Sequence, residues 1–174
     1  MKKALVLALA LAVLAVLVVV LSAQTFTYVG AAKCMICHKT ETQGKQLPIW
    51  QGTKHSQSFA ALSSPQAAEN AKQANVQNPT ESPDCLKCHA PLYEKAAELK
   101  AEGVTCEVCH GPGSEYKKLN IMKDVALAKQ NGLILYDNQD AIKKHCLTCH
   151  ASAHGKSFDF AAAFDKIKHN KPAQ

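Results

Sequence analysis

The sequence predicts a mostly α-helical protein with extensive loops and little or no sheet, and three observations lead to this fold class. Several windows space apolar residues three or four positions apart, as one face of a helix requires. The segments 30–33 and 53–58 show no sustained apolar alternation, so they do not indicate strands. Five Phe, one Trp and four Tyr in 174 residues supply few large side chains for an interior. Chains with so thin a core usually depend on disulfides, metals or cofactors.

Start and stop signals place the expected helices. Ser64 is an N-cap followed by Pro65 at the first helical position, which predicts a helix over 66–75. A short helix over 124–131 is expected to end at Gly132. Two further helices are predicted from apolar stripes, the first ended by Gly103: Leu92, Ala96 and Leu99; Phe160, Phe164 and Ile167.

Residues 1–23 are expected to be a signal peptide or an N-terminal membrane anchor. Lys2 and Lys3 precede an uninterrupted apolar run over 4–21, which is the arrangement of a secretory signal. The run also reaches the lower length limit of a membrane-spanning helix, about 17 residues, so membrane association through it is the alternative. In either case residues 24–174 are expected to form one exported domain, periplasmic or at the cell surface.

One pattern, CxxCH, recurs four times and uses all eight cysteines of the chain. The four copies are CMICH over 34–38, CLKCH over 85–89, CEVCH over 106–110 and CLTCH over 146–150. Because about one residue in twenty is histidine, four CxxC pairs followed by histidine would arise by chance on the order of once in 10⁵. A chemical requirement for that histidine is therefore indicated.

Disulfides and zinc are the two alternatives for these cysteines. Eight cysteines in a secreted domain would ordinarily suggest four bridges, and two CxxC pairs can form a four-cysteine zinc site. A disulfide framework does not demand histidine after each pair, and a zinc site of that kind leaves the histidines without a role. Covalent attachment of haem explains both the cysteines and the histidine.

A c-type haem is bound by two thioether bonds from cysteine sulfurs, and the histidine that follows becomes the proximal ligand of the iron. The predicted attachment points are Cys34, Cys37, Cys85, Cys88, Cys106, Cys109, Cys146 and Cys149. The predicted proximal ligands are His38, His89, His110 and His150. Four haems over residues 24–174 leave fewer than about 40 residues for each, so the chain is expected to wrap around its cofactors.

The sixth ligand of each iron decides between electron transfer and ligand binding. His55, in the loop after the only tryptophan, and His169, near the C-terminus, are the favoured distal ligands. If the last helix ran unbroken, His169 would point away from the Phe160 stripe, so either the helix ends near Lys168 or the iron lies on its other face.

Four other residues are weighed for the remaining distal positions. His145 precedes the fourth motif directly and is expected at the solvated surface. His154 follows one turn after that motif and stays open as a ligand. Met122 is a further candidate, although an apolar side chain in the interior is the favoured interpretation. Met35 is too constrained by its own motif to bind that iron.

Several segments together resemble the tetrahaem cytochrome c-554 family. These are the Tyr28–Gly30 stretch before the first motif, the Trp50–His55 segment, the close second and third motifs, the stretch CEVCHGPGSEY over 106–116 that contains CHGPG, and a C-terminal histidine after the fourth motif. The likeness covers nearly all of the exported part of the chain. CxxCH is generic to c-type haems, whereas the tryptophan-to-histidine segment and CHGPG are more specific.

The resemblance implies a mostly helical protein with closely stacked haems that accepts and passes electrons in the periplasm. It also implies distal ligation by His55 and His169. In the best-known members a further distal histidine follows CHGPG, and the haem of the second motif, here that of His89, is five-coordinate. The segment 114–124 contains no histidine. Met122, His154 or an open site is therefore left for one haem.

Charge adds little to the choice between functions, and nothing in the chain suggests nucleic-acid binding. The formal net charge is +6, and every one of the twenty basic residues is lysine. Eight haem propionates and four ferric centres would bring the exported domain close to neutrality. Lysine-rich edges suit brief docking to acidic redox partners, and a scattered solvated surface is the alternative.

Three functions remain open from the residues alone. The first is an electron-transfer protein that relays electrons through four covalently bound haems between donor and acceptor redox proteins, and no acid, base or nucleophile constellation is needed for it. The second is a haem enzyme that reduces a nitrogen oxide or peroxide at a five-coordinate iron. The third is a subunit of an extracellular haem polymer, with His145 or His154 serving a neighbouring subunit.

Overall fold

A computed structural model describes residues 25–151 and 153–169 of the chain. The expected signal or anchor segment, 1–23, lies outside the described residues. Within them, the structure is helical with extensive loops and contains no strand, as predicted. The α-helices are α1 (Ala31–Cys34), α2 (Gln46–Gln51), α3 (Pro65–Gln73), α4 (Pro83–His89), α5 (Cys106–His110), α6 (Leu119–Met122), α7 (Val125–Gln130), α8 (Gln139–His150) and α9 (Phe160–Phe164).

Short 3₁₀ segments supplement these helices, at Glu41–Gln43, Ala60–Ser63, Ala97–Glu102 and Ala153–Gly155. Among the residues that the structure describes, no helix is both long enough and apolar enough to cross a membrane.

Side-chain caps explain where the longer helices begin. The Ser64 hydroxyl accepts a hydrogen bond from the Ala67 N–H at 3.1 Å, which confirms the predicted start of α3. The Asp124 carboxylate accepts one from the Leu127 N–H at 3.0 Å and begins α7, which is also confirmed. Asn138 caps α8 in the same way, through the Ala141 N–H at 2.9 Å.

The helix predicted from the Leu92 stripe is wrong in its first half. Residues 91–95 form turns, and only Ala97–Glu102 is helical, as a 3₁₀ segment. Ala90 is extended, with φ −153°, because the residue before a proline avoids the helical region, and the chain therefore leaves α4 abruptly. Leu92 and Ala96 are nonetheless buried. The apolar spacing therefore identified interior residues, although the segment is not a regular helix.

Only the first two residues of the predicted C-terminal apolar stripe, Phe160 and Phe164, lie in the last helix. Helix α9 ends at Phe164, and a turn follows in which the N–H groups of Ile167 and Lys168 bond to the Phe164 carbonyl. The rings of Phe160 and Phe164 are stacked with centroids 5.5 Å apart. Since the helix does not run unbroken to His169, that histidine does not have to follow the helical face of the stripe.

Two buried apolar clusters form the interior of the described chain. Leu62, Leu86 and Ala90 make one, with Phe59, Cys85 and Tyr93 packed against it. Tyr116, Ile121 and Ala128 make the other, with Met122 and Leu133 beside it. Both clusters are small, which agrees with the thin supply of large side chains noted above.

A buried carboxylate joins the N-terminal segment to the loop after the third motif. Glu107 is only 1% exposed, and its two oxygens accept hydrogen bonds from the N–H groups of Val29, Gly30 and Gly113 at 2.6–3.1 Å. Gly30 has φ +83°, and a Cβ there would lie 2.7 Å from Glu102. Glycine is therefore required where this segment passes the carboxylates. Glu107 fixes the first motif relative to the third.

Replacing Glu107 with alanine is expected to lower the free energy of unfolding by about 3 kcal/mol, since buried N–H groups left without an acceptor cost about 1–3 kcal/mol each. For a domain of this size the thermal midpoint should fall by roughly 6–12 °C, measured by circular dichroism of the holoprotein. The exposed Glu98→Ala is the matched control and should leave the midpoint unchanged. An equal midpoint in both variants would contradict the role assigned to Glu107.

Candidate haem sites

Each CxxCH motif adopts the same local geometry, with two cysteines one turn apart and the histidine at the C-terminal end. Helices α4, α5 and α8 all end at their motif histidine. In the first motif a turn continues α1, and the His38 N–H bonds to the Cys34 carbonyl at 3.0 Å. None of the eight cysteines, all of which lie among the described residues, forms a disulfide. Because positions i, i+3 and i+4 of a helix share a face, the two cysteines and the histidine of a helical motif lie on one side of it, as thioether attachment and ligation by the histidine require.

The motif histidines do not gather into a zinc-like cluster. Among residues 25–151 and 153–169, no group of three or more His, Cys, Asp or Glu side chains converges as it would around a metal ion. The histidines meet in pairs instead, and each pair joins one motif histidine to one histidine from outside the motifs.

The spacing of these pairs fits two axial ligands of one iron. Their ring centroids are 6.2 Å apart for His55 and His150, 6.2 Å for His89 and His154, and 5.8 Å for His110 and His169. A histidine nitrogen lies about 2 Å from a metal ion that it binds and roughly 1 Å from its own ring centre, so two trans ligands have ring centres about 6 Å apart. The structure therefore brings His55, His154 and His169, all distal candidates, opposite three of the four predicted proximal ligands.

Backbone carbonyls orient two of the motif histidines. The Nδ1–H of His89 donates to the Ser58 carbonyl at 2.8 Å, and that of His110 donates to the Ile134 carbonyl at 3.2 Å. A hydrogen bond at Nδ1 fixes the tautomer and leaves Nε2 unprotonated for a metal. The donor set and its orientation fit haem iron at these two motifs.

Burial favours the metal-binding form of three of the paired imidazoles, those of His55, His110 and His150. Burial lowers the pKa of His110, while its bond to Ile134 opposes the shift. Burial, and then the charge of His150, lowers the pKa of His55, and burial lowers that of His150 itself. A lowered histidine pKa favours the neutral imidazole, which is the ligating state.

The loop that carries His55 is held by its polar side chains. The Trp50 indole N–H donates to the Val104 carbonyl at 2.8 Å, which ties this loop to the segment before the third motif. The Thr53 hydroxyl donates to the Trp50 carbonyl at 2.7 Å and accepts from the His55 N–H at 3.2 Å. This is the tryptophan-to-histidine segment singled out from the sequence, and the tryptophan anchors the loop.

Neither His38 nor His145 forms such a ring pair in the described structure, although both lie near enough to His110 to contribute to the lowering of its pKa. His145 is half-buried against the Tyr136 ring, at a centroid distance of 5.3 Å, and burial lowers its pKa. It is therefore more enclosed than the solvated surface residue expected from the sequence. Met122 packs against the Tyr116 cluster, which is the environment of an interior apolar side chain.

The family resemblance implies an open haem at the second motif, and the structure places a second imidazole beside the histidine of that motif. An open iron at His89 would need a free distal side, yet the His154 ring faces His89 at 6.2 Å. His154 has φ 54°, a left-handed conformation that few residues other than glycine adopt, and this conformation occurs immediately before Gly155. The motif without a facing histidine is the first.

Interactions between thiols of different motifs give the spatial order of the four motifs. A hydrogen bond to Cys106 is the largest cause that raises the pKa of Cys34. Burial, and then the neighbouring Cys146, raises the pKa of Cys109 to about 12, and burial with the neighbouring Cys149 raises that of Cys88 to about 11. These pKa values belong to the thiols before haem attachment. The neighbour relations place the motifs in the order first, third, fourth, second.

Several contributors to the sites have no signal in the sequence. Ser58 and Ile134 act through backbone carbonyls, which any residue type provides. Phe158 stacks on the His150 ring with centroids 4.6 Å apart and planes 13° apart. The only sequence signal for that contact is an aromatic residue shortly after the fourth motif. The predicted apolar stripe began at Phe160 and did not include Phe158.

Comparison with known proteins gives two matches that agree with this geometry. Residues 33–111 match the family model described as cytochrome c554 and c-prime, a range that contains the first three motifs. Cytochrome c-554 of Nitrosomonas europaea is 26% identical over 151 residues, covering 77% of this chain. The chain spans 62% of the length of that relative. No solved structure matches the chain.

The family match and the relative both concern c-type cytochromes, and the helical motifs with their paired histidines have the donor set that covalently bound haem needs. Both matches therefore support the c-554 cytochrome family for this chain.

Proposed function

We propose that the chain is an exported cytochrome that binds four haems and relays electrons between redox proteins. The observation that carries this proposal is the set of three histidine pairs with ring centroids 5.8–6.2 Å apart. An iron with two histidine ligands is suited to electron transfer, because neither coordination position is left for a substrate. Bound haem supplies a one-electron couple between ferric and ferrous iron.

The proposal assigns each haem to residues of this chain. The second site consists of Cys85, Cys88, His89 and His154. The third consists of Cys106, Cys109, His110 and His169. The fourth consists of Cys146, Cys149, His150 and His55. The first consists of Cys34, Cys37 and His38.

Exposed apolar side chains beside the motifs support a chain wrapped around its cofactors. Ile36 is 73% exposed and lies within the first motif, and Leu147 is 37% exposed within the fourth. Ile134, whose carbonyl orients His110, is 46% exposed. Apolar surface concentrated beside binding motifs commonly marks a place that a ligand covers. On this proposal the haems complete the interior that the two small clusters leave unfinished.

The spatial order of the motifs suits a relay. Cys34 interacts with Cys106, Cys109 with Cys146, and Cys149 with Cys88, so the four motifs form one continuous series. A relay requires each redox centre to lie close to the next, and the two ends of this series, the first and second motifs, are the natural points of entry and exit.

Export and partners complete the proposal. The apolar segment 4–21 would direct residues 24–174 out of the cytoplasm, to the periplasm, and covalent haem attachment is compatible with that destination. Docking would involve redox proteins at lysine-rich edges of the surface. A polymer that borrows His154 for a neighbouring subunit is less favoured, because His154 already faces His89 in the same chain.

The purified protein is expected to contain four haems per chain in a pyridine haemochrome assay. Replacing both cysteines of the fourth motif, in the double variant C146A/C149A, should leave three, because the thioether bonds of only that site are lost. Intact-protein mass spectrometry would show which motif lacks its haem. Fewer than four haems in the unmodified protein would overturn the proposed cofactor count.

The variant His55→Met is expected to raise the reduction potential of a single haem, on the order of 0.1 V, since a thioether ligand favours ferrous iron more than imidazole does. A spectroelectrochemical titration of the holoprotein would resolve one shifted component among four. His145→Ala, which alters a histidine outside the three pairs, is the control and should leave all components in place. If His55→Met moved none of them, His55 would not be a ligand.

A further inference from the structure

The first motif differs from the other three in what faces its histidine. His89, His110 and His150 each have a second imidazole at 5.8–6.2 Å, and these pairs use His55, His154 and His169. The one histidine left over is His145, whose ring lies against Tyr136. No histidine in the described structure forms such a pair with His38.

The proximal side of His38 is also distinct. Its Nδ1 is buried and has no hydrogen-bond partner among the described residues, whereas the Nδ1 atoms of His89 and His110 donate to backbone carbonyls. A hydrogen bond at this atom raises the basicity of a ligating imidazole. Without it, His38 is the weaker donor to an iron, although its backbone is held by the bond from the Leu47 N–H to its carbonyl at 2.9 Å.

The residues after the third motif offer no replacement histidine. The segment 114–124 has none, and it supplies the buried Tyr116 and Ile121 to the interior. Met122 packs within the same cluster. The Tyr116 hydroxyl is used in a bond to the Gly111 carbonyl at 2.9 Å. Apolar side chains therefore occupy the segment in which the resemblance implies a further distal histidine.

We propose that the haem bound by His38 is the ligand-binding haem of this protein and takes a small uncharged molecule of the carbon monoxide or nitric oxide type at its open side. The inference rests on the proposed four-haem function and deepens it. Binding is reversible coordination, and no bond within the ligand is broken. The first motif lies at the surface, where Met35 is 41% exposed and Ile36 is 73% exposed, so solvent reaches this end of the molecule.

The test is the number of carbon monoxide molecules bound by the reduced holoprotein, read from the Soret difference spectrum. We expect one per chain, with one high-spin signal among four ferric haems in the electron paramagnetic resonance spectrum of the oxidised protein. His55→Ala, His154→Ala and His169→Ala each remove one facing imidazole, and each should raise the count from one to two. By elimination the haem open in the unmodified protein is then that of His38.

Two results would overturn the inference. If His154→Ala left the count at one, the open haem would be that of His89. If the unmodified protein bound none and either His145→Ala or Met122→Leu bound one, that residue would cap the His38 haem. A haem content below four in the same samples would reject the proposed function itself, so the two failures are distinguishable.

A second readout concerns the unpartnered nitrogen. The iron–histidine stretching band of the five-coordinate ferrous haem, seen by resonance Raman spectroscopy, should lie at a lower frequency in the unmodified protein than the band added by His154→Ala. The added band comes from the haem of His89, whose Nδ1 donates to Ser58. The reverse order would contradict the weaker donor strength assigned to His38.

Discussion

The separation of about 6 Å between paired imidazoles is the constraint on which the rest of this structure depends. A motif histidine is placed by its own helix, but its partner comes from a remote loop or terminus that has to be held at the right distance. The Trp50 anchor, the early end of α9 and the left-handed backbone at His154 all serve that placement. The loops and turns of the chain thus position the histidines that face the motif histidines.

Hydrogen bonds from side chains to backbone N–H and carbonyl groups replace much of the apolar packing that a domain of this size normally has. Glu107 accepts hydrogen bonds from three N–H groups in two segments. The Ser58 hydroxyl shares its one hydrogen between the carbonyls of His55 and His89 and accepts from the Val104 N–H. The bonds to Val29, Gly30, His89 and Val104 join residues 31 to 78 positions apart in the chain. Buried groups of this kind are costly to leave unpaired, so they define one arrangement of loops even where little apolar surface is available.

The three paired sites and the first site illustrate two uses of the same motif. In the proposed assignment, the chain provides both coordination positions of an iron where a second imidazole faces the motif histidine. At His38 it would provide only one, and the Nδ1 of His38 has no acceptor among the described residues. On this proposal, one fold combines electron-transfer sites with a ligand-binding site by changing what a neighbouring loop contributes. The resemblance to the family implies an open second motif, whereas the His154 ring faces His89 at 6.2 Å in this structure.

The chemistry of the motifs and the starts of several helices were determined by the sequence alone, because they depend on residues close together in the chain. Two thioether bonds and one imidazole within five residues define a CxxCH site, and Ser64 and Asp124 cap the helices that directly follow them. The pairing of His150 with His55, the enclosure of His145 and the replacement of the Leu92 helix by turns were decided only by tertiary structure. These features depend on which distant segments pack against one another, and the spacing of residues along the chain does not determine contacts between distant segments.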